Sequence, residues 1–258
     1  MPKIITEDMI EQAAIKALQE RHDYTVLNCM TEEPDTLPDG TGRKDKKQVV
    51  LPDVMFESLC QINPDIPEQT VRTVVDELCH THVSGDLMLT NYQNYQKIRN
   101  GITVEYNENG KKTSNILRLL SYNDVLSNTF TVASQMWIKG ETHWRRPDLI
   151  IFINGFPMVF IELKNSNIPV KNAYDINLKN YLKDIPYLFN YNQICVLSNG
   201  METRLGSFAA GYEFFFEWLK VENEKENPDR KAIRENCTSL EYFIAGLCEP
   251  KNLLDYIE

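Results

Sequence analysis

The sequence lacks the features of a membrane-bound or secreted protein. No apolar run approaches the roughly 20 residues that cross a bilayer, and the N-terminal stretch MPKIITED turns acidic too early for a signal peptide. The six cysteines form no CxxC pair and follow no regular spacing, which is typical of reduced thiols. We therefore expect a cytoplasmic protein that makes no contact with a membrane.

The chain also has little positive charge. Its 37 Asp and Glu residues outnumber 27 Lys and Arg residues and give a formal net charge of −10. Because phosphate contacts dominate the affinity for nucleic acid, this balance argues against a domain that binds nucleic acid unaided. Any contact with DNA must come from a local patch or from a partner.

The sequence contains no internal repeat and no GxxxxGK[ST] phosphate-binding loop. It does contain ample material for a hydrophobic core. Its 258 residues are 42% hydrophobic and 25% charged, which is ordinary for a globular protein and suits one large domain or two small ones.

The first part of the chain has the apolar periodicity of helices. An amphipathic helix is predicted over 6–21, with Thr6 as its N-cap, and a short strand over 24–27. Residues 31–47 have no periodic pattern, and we predict a mobile loop there. Further helices are predicted over 48–60, 67–80 and 84–98, and we interpret about 48–98 as a helical insertion.

After Gly101 the apolar pattern changes to that of strands. Asn109-Gly110 and Asn154-Gly155 are typical hairpin turns. The strands FTVAS and QICVLS and a helix over about 171–183 complete a mixed α/β core, which we assign to about 1–30 and 100–220. A charged linker and a terminal helix over 238–257 are predicted within about 221–258.

The most strand-like segment, RRPDLIIFINGFPMVFIELK, carries three charged residues, Asp148, Glu162 and Lys164. Glu162 and Lys164 share one face of their strand because side chains alternate. A strict two-residue turn would place Asp148 opposite Ile161, whereas a three-residue loop or one bulge brings it onto the face of Glu162. Two carboxylates on one face make an oxygen site for Mg²⁺, beside which Lys164 can orient a water or stabilise negative charge. A partly exposed hairpin with solvated charges is the alternative.

The combination of Pro147-Asp148 with Glu162-Leu163-Lys164 resembles the PD-(D/E)xK nucleases. More narrowly, the chain is similar to the N-terminal nuclease domain of the R subunit of type I restriction-modification enzymes. The further stretches that carry this similarity are IEQAA at Ile10, GITVE at Gly101, IPYLF at Ile185, YNQ at Tyr191, SNG at Ser198 and RLGS at Arg204.

The resemblance implies an α/β restriction-endonuclease-like core, in which helices flank a mixed central sheet. It implies a metal-dependent, type I site-specific deoxyribonuclease that cleaves foreign double-stranded DNA. By the same resemblance, Asp148 and Glu162 are Mg²⁺ ligands with the Leu163 carbonyl as a third, and Lys164 is the catalytic lysine. Glu11 matches a glutamate that completes the acidic site, although a solvated helix face is the alternative for it.

The resemblance also implies partners. A helicase-like motor driven by ATP would lie beyond Glu258 and deliver the DNA, and separate specificity and methylation subunits would complete the complex in a bacterial or archaeal cytoplasm. Two alternatives stay open. One is a self-sufficient nuclease of the same fold, and the other is a non-catalytic docking domain that retained the fold.

Accessory residues are predicted on the helix that follows Lys164. Many nucleases of this type carry Q-x-x-x-Y there, and this chain has Asn177 and Tyr181 at the same spacing. Residues four apart share a helix face, so both can point at the site, although Tyr181 can equally be ordinary core. A basic rim that contacts DNA, with scattered solvated side chains as the alternative, is predicted from Arg145, Arg146, Lys171, Lys179 and Lys183.

Two other clusters give weaker signals. Cys79-His80-Thr81-His82 contains metal-ligand residue types but has no second cluster, so we do not expect a structural zinc. We interpret Phe214-Phe215-Phe216 and Trp218 as core rather than as a platform on which bases stack.

Overall fold

The structure is a computed structural model that describes residues 4–80, 85–108, 110–223 and 225–258. In these residues the chain forms α-helices α1 (Glu7–His22), α2 (Pro52–Ile62), α3 (Glu68–Cys79), α4 (Leu87–Asn100), α5 (Lys179–Asp184), α6 (Arg230–Asn236), α7 (Ser239–Gly246) and α8 (Pro250–Ile257). The strands are β1 (Thr25–Asn28), β2 (Ile102–Glu108), β3 (Lys111–Leu117), β4 (Phe130–Ser134), β5 (Ile138–Lys139), β6 (Trp144–Arg145), β7 (Leu149–Ile153), β8 (Phe156–Leu163), β9 (Ile194–Ser198) and β10 (Thr203–Gly206).

The central sheet is mixed, as predicted. Its strand order is β1-β4-β7-β8-β9-β10. The pairs β1–β4 and β8–β9 are parallel, and the pairs β4–β7, β7–β8 and β9–β10 are antiparallel. All residues of β4, β7, β8 and β9 are buried. Strands that are covered on both faces have nearly continuous apolar sequences, which explains why these segments show little polar alternation.

Two hydrophobic clusters lie on opposite faces of this sheet. Along β7, Leu149, Ile151 and Ile153 belong to one cluster, and Ile150 and Phe152 belong to the other, because neighbouring side chains of a strand point to opposite faces. Helices α1, α2, α3, α7 and α8 contribute to the first cluster, and α5 with its flanking segments contributes to the second. The sheet is therefore the middle layer of the fold.

The β7–β8 hairpin turns at Asn154 and Gly155, as predicted. Their φ angles of 49° and 81° are left-handed, as a two-residue hairpin turn of type I′ requires. A Cβ atom at Gly155 would stand 2.7 Å from the Leu51 carbonyl oxygen. Glycine is therefore required both for the backbone conformation and for the close approach of α2.

A β-bulge follows this turn, and it decides which residues lie side by side. One register shift interrupts the β7–β8 ladder, so that Leu149 pairs with Ile161. Of the two predicted alternatives, a three-residue loop or one bulge, the structure contains the bulge. Because Asp148 directly precedes Leu149 and Glu162 directly follows Ile161, the shifted register brings the two acidic residues level with each other.

Most predicted helices are confirmed, with two differences. The helix predicted over about 171–183 begins as a π-helical segment, Ala173–Leu178, before α5. The prediction of one terminal helix over 238–257 is wrong, because the chain forms α7 and α8 there. Pro250 is the first residue of α8, and proline lacks the N–H that would continue α7.

Two small antiparallel sheets lie outside the central sheet. The predicted hairpin β2–β3 forms one, and β5–β6, which the sequence pattern did not predict, forms the other. Asn109 of the first hairpin, and Thr81 and His82 of the Cys-His cluster, lie outside the described residues. Within the residues that the structure describes, no helix is both long and apolar enough to cross a membrane.

The segment 31–47 contains no helix or strand, as predicted, but it is anchored. Asp39 lies between Arg43 and Lys46, and both ion pairs measure 2.6 Å. All three residues are buried, and an Arg43 N–H also donates to the Trp137 carbonyl at 3.1 Å. The loop is therefore packed against the segment that leads to β5, which its composition did not indicate.

Candidate active site

Asp148 lies directly before β7, and its carboxylate contacts the end of β8. Its Oδ2 accepts a hydrogen bond of 2.7 Å from the main-chain N–H of Leu163. The residue is 8% exposed. The strand that carries Glu162 therefore also fixes the orientation of Asp148.

Glu162 is the most deeply buried acid of the site, at 2% exposure. Its Oε1 accepts a hydrogen bond of 2.8 Å from Lys164 Nζ, whereas its buried Oε2 has no hydrogen-bond partner among the residues that the structure describes. A buried polar atom without a partner costs free energy. This oxygen therefore has no donor in hydrogen-bonding geometry, although the Tyr181 hydroxyl lies near enough to the Glu162 carboxylate to lower its pKa.

Lys164 joins the oxygen atoms of the site. Its Nζ donates to Glu162 Oε1 and, at 2.5 Å, to the Leu163 carbonyl, and it lies 3.7 Å from Glu7 Oε2. The side chain is 16% exposed. The main-chain N–H of Lys164 donates to the Ser198 carbonyl at 2.8 Å, so β9 holds the lysine in place.

The two buried acids resist ionisation. Burial raises the pKa of Glu162 to about 8, and the negative charge of Asp148 adds to this rise against the opposing effect of Lys164. Burial also raises the pKa of Asp148 to about 6, although the Leu163 N–H opposes it. A positive charge between the carboxylates would remove much of this cost.

Glu11 lies on α1 beside the acidic pair and is 5% exposed, so the solvated-face alternative is wrong. Its carboxylate accepts a hydrogen bond from the side-chain amide of Gln135. Burial raises the pKa of Glu11 to about 7, and the charge of Asp148 contributes to the rise. The role of Glu11 in a metal site stays a prediction.

The docking of α1 onto the end of β8 explains this placement. The N–H of Glu7 donates to Asn165 Oδ1 at 2.8 Å, and the N–H of Ile5 donates to Ser166 Oγ at 3.0 Å. The sequence patterns did not identify Glu7 or Gln135 as site residues. The available signal for Gln135 was its position as the first polar residue after the buried strand β4.

Tyr181 is both a core residue and a neighbour of the site. It is 6% exposed and packs edge-on against Phe160 at 5.3 Å between ring centroids. Its hydroxyl donates to the Arg146 carbonyl at 3.1 Å. Asn177 is half-buried within the π-helical segment, where the wider turn changes the i, i+4 relationship that we assumed for a regular helix.

The predicted basic rim is largely engaged in ion pairs. Arg145 Nε donates to Asp184 at 2.7 Å. Lys171 and Lys179 both pair with Asp175. The two lysine pairs are exposed and contribute little stability, whereas Asp184 is buried beneath Arg145. A contact with DNA stays a prediction for all three basic residues.

The remaining two rim residues differ from each other. The Arg146 guanidinium lies 4.9 Å from the centre of the Trp137 ring, and its charge lowers the pKa of Asp148. Arg146 therefore belongs to the surroundings of the acidic pair. Lys183 is an exposed residue of α5, and its contact with DNA stays a prediction.

The interpretation of the aromatic run as core is right for Phe215 and for Trp218, which is half-buried and packs against the first hydrophobic cluster. Phe215 is 1% exposed, whereas Phe214 and Phe216 are 70% and 44% exposed. Phe216 forms a β-bridge with Leu205, and neighbouring side chains in extended backbone alternate in direction. Three consecutive aromatic residues there cannot all enter the core.

The described residues contain no group of three or more His, Cys, Asp or Glu side chains that could hold a metal ion. Asp148, Glu162 and the Leu163 carbonyl stay predicted metal ligands. Glu11 is close enough to influence Asp148 electrostatically, but its carboxylate does not complete such a group.

Comparison with known proteins gives one family for most of the chain. Residues 4–236 match the family described as the type I restriction enzyme R protein N terminus. The type I restriction enzyme HindI endonuclease subunit of Haemophilus influenzae is 33% identical over an aligned length of 263 residues. The alignment covers 98% of this chain and 24% of the relative. A provisionally named type I restriction enzyme MjaIXP endonuclease subunit of Methanocaldococcus jannaschii is 28% identical over 272 residues, or 99% of this chain and 25% of the relative.

The chain thus spans about a quarter of the length of these relatives. The residues that match the family include the β7–β8 hairpin, the acidic pair and Lys164. This chain belongs to the family of type I restriction enzyme R protein N-terminal regions.

Proposed function

We propose that this chain is the metal-dependent nuclease domain of a type I restriction enzyme, built on a PD-(D/E)xK core. It hydrolyses phosphodiester bonds of foreign double-stranded DNA. The observation that carries the proposal is the buried pair of Asp148 and Glu162, in which one Glu162 oxygen has no hydrogen-bond partner within the described part of the chain. Family membership supports the proposal, since the relatives are named endonuclease subunits of restriction enzymes.

The residues at this site fit Mg²⁺. Hard divalent cations prefer oxygen ligands, and the site offers the carboxylates of Asp148 and Glu162 and the carbonyl of Leu163. The buried Glu162 Oε2 provides an unused acceptor. The Lys164 ammonium group already bonds to Glu162 and to the Leu163 carbonyl, so these oxygens attract positive charge.

Each residue then has a defined part in hydrolysis. When bound, the cation supplies neutralisation of negative charge at the scissile phosphate and activation of the attacking water. Lys164, at the partly exposed edge of the site, donates a hydrogen bond to that water or to a phosphate oxygen as negative charge develops. Burial of Asp148 and Glu162 keeps bulk water away from them, which strengthens their attraction for a cation.

The accessory residues serve to place the DNA. Arg146 is held over the Trp137 ring near Asp148, where its guanidinium can bind a phosphate next to the scissile bond. Lys171, Lys179 and Lys183 extend the positive charge along the helix that follows. Asn177 and Tyr181 orient the acidic pair or the substrate from the same helix.

The larger assembly follows from the resemblance to R subunits. An ATP-driven motor outside these 258 residues delivers the DNA, a specificity subunit recognises the target sequence, and methylation subunits complete the cytoplasmic complex. The acidic balance of this chain, with a net charge of −10, supports a nuclease that receives DNA from a partner. Its six free cysteines suit the reducing cytoplasm.

Plasmid cleavage with Mg²⁺ tests this function. We expect the complete complex to cut the plasmid in the presence of ATP, the Glu162→Ala complex to leave it intact, and the 258-residue chain alone to cut slowly or not at all. Efficient cleavage by the chain alone would favour a self-sufficient nuclease. Unchanged cleavage by the Glu162→Ala complex would favour a docking domain without catalytic activity.

A further inference from the structure

Gln135 has an unusual backbone conformation for its residue type. Among the described residues, four that are not glycine have a positive φ, namely Asp23, Gln135, Asn154 and Cys237. Asp23 and Cys237 terminate helices, and Asn154 forms the β7–β8 turn. Gln135, with a φ of 55°, has neither function, and a left-handed conformation costs such a residue about 1 kcal/mol or more.

Both parts of Gln135 contact the acidic site. Its main-chain N–H donates to the carbonyl of Asp148 at 3.0 Å, directly beyond the last β4–β7 pair. Its side-chain amide donates to the buried carboxylate of Glu11. One residue therefore connects Asp148, at the start of β7, to the helix that carries Glu11.

The choice of residue is informative. Glycine would adopt the left-handed conformation without strain, and its N–H could still bond to the Asp148 carbonyl. What glycine lacks is the amide that reaches Glu11. The strained conformation therefore accompanies a side-chain contact, and strain of this kind is often found at functional sites.

We propose that Gln135 is a positioning residue of the acidic site, which holds the Glu11 carboxylate in a fixed orientation beside Asp148. The proposal rests on the function proposed above. Glu11 lies outside the proposed set of cation ligands, but its charge acts on Asp148. Gln135 therefore affects the bound cation indirectly, through Glu11, and does not itself contact the reacting atoms. Supporting residues of metal sites contribute about 10–100-fold to metal affinity or activity, and we place Gln135 in this range.

The variant Gln135→Gly distinguishes the role of the side-chain amide from that of the left-handed backbone, because it removes the amide and keeps the conformation. This variant relieves the left-handed strain, so the urea midpoint of the chain should stay equal to that of the wild type or rise. We expect its Mn²⁺ affinity, measured by calorimetric titration of the 258-residue chain, to fall by about tenfold. Cleavage by the complete complex that carries Gln135→Gly should fall in parallel. Asp23→Gly is the matched control, because it replaces another left-handed residue at a helix end and should leave Mn²⁺ affinity unchanged.

A double-mutant cycle tests whether the effect passes through Glu11. Gln135→Gly should have no further effect on Mn²⁺ affinity in a Glu11→Gln background, whereas a purely structural effect would be additive. Wild-type Mn²⁺ affinity in Gln135→Gly, or full additivity in the cycle, would overturn the positioning role while the site itself stands. Mn²⁺ binding that is insensitive to Asp148→Asn would overturn the proposed metal site and this inference with it.

Discussion

The main-chain N–H of Leu163 donates a 2.7 Å hydrogen bond to the carboxylate of Asp148, and this bond couples the two strands of the acidic hairpin. Asp148 is thereby oriented by the same strand that carries Glu162. Because the paired backbones of a buried sheet are rigid, the separation of the two carboxylates is set before any substrate arrives. We therefore predict a site that attracts a cation through the fixed positions of its oxygen atoms, because a cation would lower the free-energy cost of ionising the two buried acids.

Removal of Lys164 should abolish cleavage without stopping the motor. We expect Lys164→Ala in the complete complex to lower the cleavage rate by at least about 10²-fold, because a donor to developing negative charge is lost, while ATP hydrolysis stays at the wild-type rate. Asp148→Ala should have the same effect. Lys251→Ala is the control, since Lys251 is an exposed lysine that pairs with Asp255 on α8. Wild-type cleavage by Lys164→Ala would show that the catalytic lysine is misassigned.

Divalent metal should stabilise the chain through the acidic pair. A cation that binds only the folded state adds about 2.7 kcal/mol to the free energy of unfolding at a concentration 100 times its Kd. Thermal melts with Mg²⁺ or Mn²⁺ should therefore shift upward for the wild type and much less for Asp148→Asn. Equal shifts in the two proteins would mean that the metal binds elsewhere.

Without added metal, stability should decline from about pH 5 to pH 8. The pKa values of Asp148, Glu11 and Glu162 are raised to about 6, 7 and 8, mainly by burial. In this range the folded state therefore retains protons that the unfolded state has released, and the free energy of unfolding falls by up to about 1.4 kcal/mol per pH unit for each proton. Urea unfolding across this range, with chelator present, measures the slope, and Glu162→Gln should flatten it. A stability that rises towards pH 8 in the wild type would contradict the burial of these acids.

The chain alone should bind DNA weakly, and its contacts should come from the basic rim. Lys179 and Lys183 are exposed residues of α5, and phosphate contacts make affinity depend on salt. We expect Lys179→Ala with Lys183→Ala to weaken cleavage by the complete complex and to reduce its salt dependence. Lys231→Ala is the control, because the side chain of Lys231 on α6 is 84% exposed. Tight, salt-resistant DNA binding by residues 1–258 would instead favour the self-sufficient nuclease.

Substitution of Gly155 by alanine should destabilise the chain more than the same substitution at Gly40. In Gly155→Ala, the alanine must adopt the left-handed conformation of the native turn, and its Cβ would lie 2.7 Å from the Leu51 carbonyl oxygen. We therefore expect a loss of about 3 kcal/mol in the free energy of unfolding. Gly40→Ala shares the positive φ but has open space around its Cβ, and it should cost about 1 kcal/mol. Urea unfolding of both variants measures the difference. Equal losses would show that the packing of α2 against the turn is unimportant.

The sequence by itself determined the local structure around the acidic pair. The apolar runs of β7 and β8, the Asn154-Gly155 turn and the need for either a bulge or a three-residue loop all follow from side-chain alternation and turn geometry. These features depend on residues close together in the chain. Thr6 as the cap of α1 is a similar local feature, and its side chain does accept a bond from the Met9 N–H. For the same reason, Asp148, Glu162 and Lys164 could be placed together before the structure was known.

Only the tertiary structure decided what surrounds this pair. Gln135 lies 124 residues along the chain from the Glu11 carboxylate that it contacts, and Asp39 is buried in a segment whose polar sequence indicated a mobile loop. The direction of Phe214 also depended on how neighbouring segments pack. Side-chain periodicity indicates which face of a helix or strand is apolar. Which segment packs against that face depends on burial between residues far apart in the chain, and a local sequence pattern does not contain this information.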